Sequence, residues 1–366
     1  MIGLLASPSS ERRVIARGLA SALAAVLAFG ASARAEPIQG AGSTFAAPII
    51  EQWSRSYRAV RADGGDFTSP DWNVDYEPVG SLAGVMRLNQ RELDFAATDV
   101  PLSVEELARH RWVQFPVVMG GIVVVANIGS AGARLRLSGP VLADIYMGKI
   151  RNWSDPAIKA FNPEAALPDA AIEVLHRQDG SGSTFTFTRF LSHASAEWRT
   201  RFGAEAQIAW PLGRGERGTS RLASLAARVP NSIAYLEYGQ ARGAGLPMVA
   251  LENQSGAFVR PEPGTFQAGL AGVEWDAARG SLADTTNLPG AAAYPMAAVT
   301  YVVVPTDRGT ARTSRVLDLF RLAFREGGRD ALALGYIPIP PELAGRIEAH
   351  WAGSFASVNN PARPSR

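Results

Sequence analysis

An α/β fold is predicted by three observations. Two continuous apolar runs, Gly120–Ile128 and Ala297–Asp307, read as strands buried on both faces, as in a sheet covered by helices. Stretches with apolar residues at helical spacing lie between and around them, and strands alternating with helices argue for α/β. At about 100–200 residues per domain, 366 residues allow roughly two domains with real cores.

The first segment reads as a leader. Arg12, Arg13 and Arg17 precede the apolar stretch Leu19–Gly30, and Ala33-Arg34-Ala35 is a small-x-small cleavage site. Residues 1–35 are therefore expected to be a secretory signal peptide, with the mature chain starting near Glu36. The apolar stretch is too short to span a bilayer, and no later run approaches about 20 residues. The first mature helix is expected from Ile49, Ile50, Trp53, Tyr57 and Val60, a stripe on one face, with Pro48 tolerated in the first turn. Ser103 with Glu106 three residues on forms a capping box after Pro101. Asp155-Pro156 opens another helix, with Asp as N-cap and Pro at the first helical position. Val316, Leu319, Phe320 and Ala323 share a face of a late helix that Gly327-Gly328 should stop. The stretch Ala62–Asn73 reads as a surface loop, and no fixed-period repeat or low-complexity linker interrupts the chain.

Composition excludes several function classes. The chain has no cysteine, which removes disulfides, thiolate metal sites, iron–sulfur clusters and a cysteine nucleophile together. Four histidines, His110, His176, His193 and His350, leave little for a metal centre. Without the four arginines and one glutamate of residues 1–35, the 36 basic and 34 acidic residues become 32 and 33. A near-neutral chain without basic clusters lacks the cationic patch that nucleic acid requires. Export without cysteine or anchor points to the bacterial periplasm.

One local pattern recurs. A small-residue turn rich in Gly and Ser/Thr directly precedes a helical stretch at Gly40–Phe45 (GAGSTF), Gly80–Gly84 (GSLAG) and Asp179–Phe185 (DGSGSTF). A helix N-terminus carries unpaired N–H groups and partial positive charge, and glycine lets that backbone approach a ligand. Each turn alone is explained as a helix cap; three brought to one place favour a bound anion. Other motifs fail on context. Gly213–Gly218 (GRGERG) matches G-x-G-x-x-G but follows Trp210-Pro211-Leu212 and carries three charges where a pyrophosphate would lie. Met147–Ile150 lacks the glycine spacing and hydroxyl of a P-loop, and no G-x-S-x-G elbow occurs. His176, after Val174-Leu175, reads as a structural residue at a strand end.

Seven segments together are recognisable: AGSTFAAPI, GSLAG, Asp94–Ser103 (DFAATDVPLS), Gln114–Asn127, Leu142–Ile158, Arg177–Leu191 and Leu334–Pro340 (LGYIPIP). In order, from about Gln39 to Pro340, they resemble the periplasmic phosphate-binding protein of the high-affinity phosphate ABC transporter, the PstS family. The resemblance implies a two-domain solute-binding fold of type II with a hinge and an interdomain ligand cleft. It divides the mature chain into domain one, residues 36–117 and 297–366, and domain two, residues 118–296. It implies inorganic phosphate as ligand, the membrane permease subunits as partner, a monomer, and no cofactor.

Carried over by position, the resemblance puts phosphate contacts on Thr44, Phe45, Ser81, Asp99, Arg177, Ser181, Gly182 and Ser183, with Asp179 holding the arginine. The chemistry fits independently. Hydroxyls, amides and a guanidinium donate to an anion rich in acceptor oxygens. A carboxylate at Asp99 can only accept, so it repels sulfate but receives a P–OH proton. Thr98–Pro101 also fits an Asx-type turn, and Arg177 with Asp179 also fits a surface ion pair. The family pattern departs at Leu82 and Ala83, where smaller residues are usual, and at Ser183-Thr184, where the order is reversed. The alternative function is a secreted phosphatase-like enzyme on the same scaffold, which needs a nucleophile or a metal pair. A third reading is an adhesive or signalling surface protein that keeps the site.

Overall fold

A computed structural model describes residues 36–62, 73–307 and 310–355. The leader over 1–35 lies outside the described residues, as do positions 63–72 of the expected surface loop.

The chain opens with β1 (Ile38–Gly42), then α1 (Ala47–Ala62), β2 (Val74–Glu77), α2 (Ser81–Asn89), β3 (Phe95–Thr98) and β4 (Trp112–Ala126). Next come β5 (Glu173–Arg177), α3 (Gly182–Ala194), β6 (Arg214–Glu216), α4 (Thr219–Arg228) and β7 (Ser232–Glu237). Near the end lie β8 (Ala297–Pro305) and β9 (Ile337–Pro338). These strands form one curled sheet in the order β2-β1-β3-β8-β4-β7-β5-β6, with β9 added on β4.

The two apolar runs form β4 and β8, with altered limits. The first strand begins eight residues earlier than expected, at Trp112, because Trp112–Gly121 pairs antiparallel with β8 along its whole length. The second stops at Pro305, whose ring removes a ladder donor. Only the last part of β4, Ile122–Ala126, pairs with β7, so one strand serves both halves of the sheet. The parallel pairs β1·β2, β1·β3, β5·β6 and β5·β7 flank this antiparallel centre.

The helices follow their caps. Ser103 accepts from the Glu106 amide and Glu106 accepts from the Ser103 amide, which completes the expected capping box on the helix Val104–His110. Asp155 caps from its side chain, but that helix is a single turn, Pro156–Lys159. In α1, Ile49, Ile50, Trp53 and Tyr57 are buried, whereas Val60 turns outward at 42% exposure. The late helix Thr310–Glu326 buries Val316, Leu319, Phe320 and Ala323 and ends before Gly327, and a short helix restarts at Gly328. Phe320 packs edge-on against Phe95 and Phe115, tying this helix to β3 and β4.

The consequence for function is positional. The parallel strands β2, β5 and β6 each run into a glycine-bearing turn and then a helix, and β1 ends on its own glycine, Gly42, before α1. The helix starts therefore gather at the carboxyl ends of the strands, where open α/β sheets bind ligands.

Candidate anion site

The three glycine turns meet. Gly80, at φ 97°, N-caps α2 and donates its amide to the Gly42 carbonyl at 2.8 Å. A Cβ at Gly80 would lie 2.8 Å from the Gly180 carbonyl, and a Cβ at Gly182 would lie 2.3 Å from Cβ of Asp99. These positions need glycine because the first and third turns press on the second and on β3 with no room for a methyl. Ser181 caps α3 by accepting from the Thr184 amide at 3.4 Å.

Asp99 is 6% exposed and ringed by hydroxyls. Ser43 Oγ lies 2.8 Å from both carboxylate oxygens, Thr300 Oγ1 donates to Oδ1 at 2.6 Å, and Ser81 Oγ approaches Oδ2 at 3.4 Å. The Asp99 amide donates to Ser81 Oγ at 3.2 Å. Burial pushes the carboxyl up to about 6 against these hydrogen bonds and Arg177, and the nearby charge of Glu237 adds to the rise.

Arg177, 2% exposed, ends β5. Its Nε donates to Asp179 Oδ1 at 2.7 Å and its Nη2 to Oδ2, so the pair is bidentate, with the arginine buried and Asp179 half-buried. Burial works against the charge, but the Asp179 contact outweighs it and raises the pKa above the ordinary range. The Nη1 group donates at 3.1 Å to both Thr44 Oγ1 and Thr219 Oγ1. The arginine is thus fixed at both ends.

Of the residues expected from sequence, Thr44, Ser81, Asp99, Arg177, Asp179, Ser181, Gly182 and Ser183 line this one region. Phe45 is 3% exposed and turns its ring into the core against Tyr336 at 5.2 Å, which leaves only its backbone for a ligand. His176 stacks on Trp210 at 4.8 Å, and its pKa is lowered by burial. Four further residues join the site. Ser43 and Thr300 serve Asp99, while Thr219 and Glu237 form a second polar knot: Glu237 Oε1 accepts from Ser183 Oγ at 2.5 Å and from Thr219 Oγ1 at 2.6 Å. The rejected GRGERG run supplies part of this. It forms β6, and Gly218 caps α4 while donating to Asp179 Oδ1 at 3.3 Å. A groove of about 800 Å3 opens beside the site, with Thr44, Asp179 and Thr219 on its walls and the exposed Arg217 and Arg221 on its rim.

Chemically, the region gathers hydroxyl, amide and guanidinium donors around two buried carboxylates, Asp99 and Glu237. Comparison with known proteins agrees. The PBP superfamily domain matches residues 28–320. Phosphate-binding protein PstS of Xylella fastidiosa (strain Temecula1) is 37% identical over 87% of this chain and 85% of its own length. The Pasteurella multocida protein of the same name is 37% identical over 88% and 92%. The chain belongs to the PstS family. The fold agrees with that of a solved protein: the phosphate binding protein from Stenotrophomonas maltophilia superposes with a TM-score of 0.64 at 18% identity, over 90% of this chain and 98% of that one. It is the two-domain solute-binding α/β fold. No described helix is long and apolar enough to cross a membrane.

Proposed function

We propose that this chain is a periplasmic solute-binding protein that captures inorganic phosphate between two hinged lobes and hands it to the permease subunits of an ABC transporter. The observation that carries the reading is the pairing of a buried, acceptor-only Asp99 with a buried Arg177 beside converging helix N-termini. The proposed ligands are the amides of Thr44 and Phe45, the hydroxyls of Thr44 and Ser81, the Arg177 guanidinium, and Ser181, Gly182 and Ser183 at the start of α3. Asp179 orients Arg177 and offsets its charge, so hydrogen bonds carry the affinity. Asp99 takes the proton of a P–OH group, and a fully deprotonated oxyanion would leave that acceptor unpaired and repelled.

The proposed lobes are residues 36–117 with 297–366, and residues 118–296. Contacts that span them support closure on a small anion: Arg177 and Thr219 with Thr44, Gly182 against Asp99, and the Leu82 amide with the Gly180 carbonyl at 3.4 Å. The protein is read as a monomer that binds without turnover. The test is calorimetric titration of phosphate-stripped protein, residues 36–366, with phosphate and then sulfate. One-to-one phosphate binding without sulfate heat is expected, and a phosphate ester should be left intact. Sulfate binding of equal strength would overturn the role of Asp99.

A further inference from the structure

Glu237 is a buried acid with no place in the reading above. It ends β7 at 2% exposure, between the N-termini of α3 and α4. Its Oε1 takes the protons of Ser183 and Thr219, and its Oε2 is buried with no hydrogen-bond partner. A carboxylate only accepts, and a hydroxyl has one proton. Both hydroxyls therefore spend their protons on Glu237 and turn lone pairs away from it. Thr219 shows the result, since its oxygen lies 3.1 Å from the Arg177 Nη1 donor and 3.0 Å from Thr44 Oγ1. Ser183 follows Gly182, whose backbone abuts the Asp99 side chain, so the start of α3 that carries this hydroxyl adjoins that carboxylate. The charge of Glu237 also reaches Asp99 and Arg177.

We infer that Glu237 is a specificity residue that acts through Ser183 and Thr219, converting the Ser183 hydroxyl into a second acceptor for a protonated oxyanion and locking Thr219 as an acceptor for Arg177. This rests on the phosphate-binding reading. The site then holds two acceptor points, one on Asp99 and one on Ser183, matched by the two P–OH protons of dihydrogen phosphate, and rejects sulfate at both. Glu237 touches no ligand itself; it positions those groups.

The test compares phosphate affinity, and sulfate affinity read by competition against phosphate at high sulfate, for wild type, Glu237→Gln, Ser183→Ala and the double variant, each checked for a native thermal transition. A glutamine amide donates to one of the two hydroxyls and frees a proton toward the anion. The sulfate-to-phosphate Kd ratio of Glu237→Gln should fall by roughly tenfold or more, the scale of one mispaired buried group. Ser183→Ala should weaken phosphate while leaving sulfate no weaker, and the double variant should match Ser183→Ala alone. Should Glu237→Gln not fold, Ser183→Ala decides by itself: equal losses for both anions mean that the hydroxyl donates, which overturns the inference. An unchanged ratio in a folded Glu237→Gln overturns it too. Wild type that binds no phosphate would instead sink the underlying reading, and the inference with it.

Discussion

At the scale of single residues, the site is governed by who holds each proton. Asp99→Asn replaces an acceptor by a donor amide, so phosphate affinity should drop by roughly tenfold or more and sulfate should begin to bind, as titration calorimetry would read. The raised Asp99 carboxyl gives the same effect by pH. Below about 6 it gains a proton and becomes a donor, so sulfate should bind wild type at pH 5 and not at pH 8. The stability sign follows from the same shift. The unfolded chain ionises near 3.8 and the folded chain only near 6, so between those values the folded state binds more protons and stability falls as pH rises. Relative to Asp99→Asn, wild type should lose on the order of 3 kcal/mol across that window in denaturant melts, and the difference should be flat on either side. Removing the partner is harsher at Arg177. Arg177→Ala leaves the half-buried Asp179 with only the Gly218 amide, so phosphate binding should be lost and thermal stability should fall, by less than the ~3–5 kcal/mol of a fully buried pair. Asp99 and Arg177 stood out in the sequence because they sit in recognisable segments. Thr300 and Glu237 did not, yet each left a trace: a small hydroxyl residue inside the apolar run AAVTYVVVP, and a charge ending SIAYLE. Neither trace names its partner, since those partners lie far along the chain, just past β3 and at the starts of α3 and α4.

At the scale of elements, the site is a convergence of helix starts. The first three were legible from glycine and hydroxyl content, because the same chemistry that caps a helix exposes its amides. The fourth, Gly218-Thr219 before α4, has the same content but was hidden by the charged GRGERG run and by the absence of an apolar strand before it. The strand is there, three residues long and half-exposed at the sheet edge, where apolar periodicity has nothing to report. Close packing between turns makes Gly182 a steric test. Gly182→Ala places a methyl on the Asp99 side chain, which should cost phosphate affinity by roughly tenfold or more if closure is needed for tight binding, with thermal unfolding shifted by only a few degrees. The rim adds a kinetic one. Arg217 and Arg221 stand exposed at the groove mouth, so Arg217→Glu should slow phosphate association in stopped-flow at low salt, and the difference should shrink as salt screens it.

For the whole molecule, the contacts that join Thr44 to Arg177 and Gly182 to Asp99 link the two proposed lobes. A ligand bound by both lobes shifts the population toward the arrangement that makes them, so solution scattering should show a smaller radius of gyration with phosphate than without. The sheet that connects the lobes was only partly legible. Its two apolar strands were evident, but their pairing across most of the chain is a tertiary fact that period and composition do not encode. That pairing also sets a timetable. Ala97 pairs with Val302, roughly 200 positions later, and β8 fills the gap between β3 and β4, so the ladder has a missing rung until nearly the whole polypeptide has been synthesised. A nascent chain ending before residue 297 would carry two unsatisfied strand edges, prone to pairing with other chains. Refolding from denaturant should accordingly be slow and concentration-sensitive, and this late strand, β8, is the one that commits the molecule to its native topology.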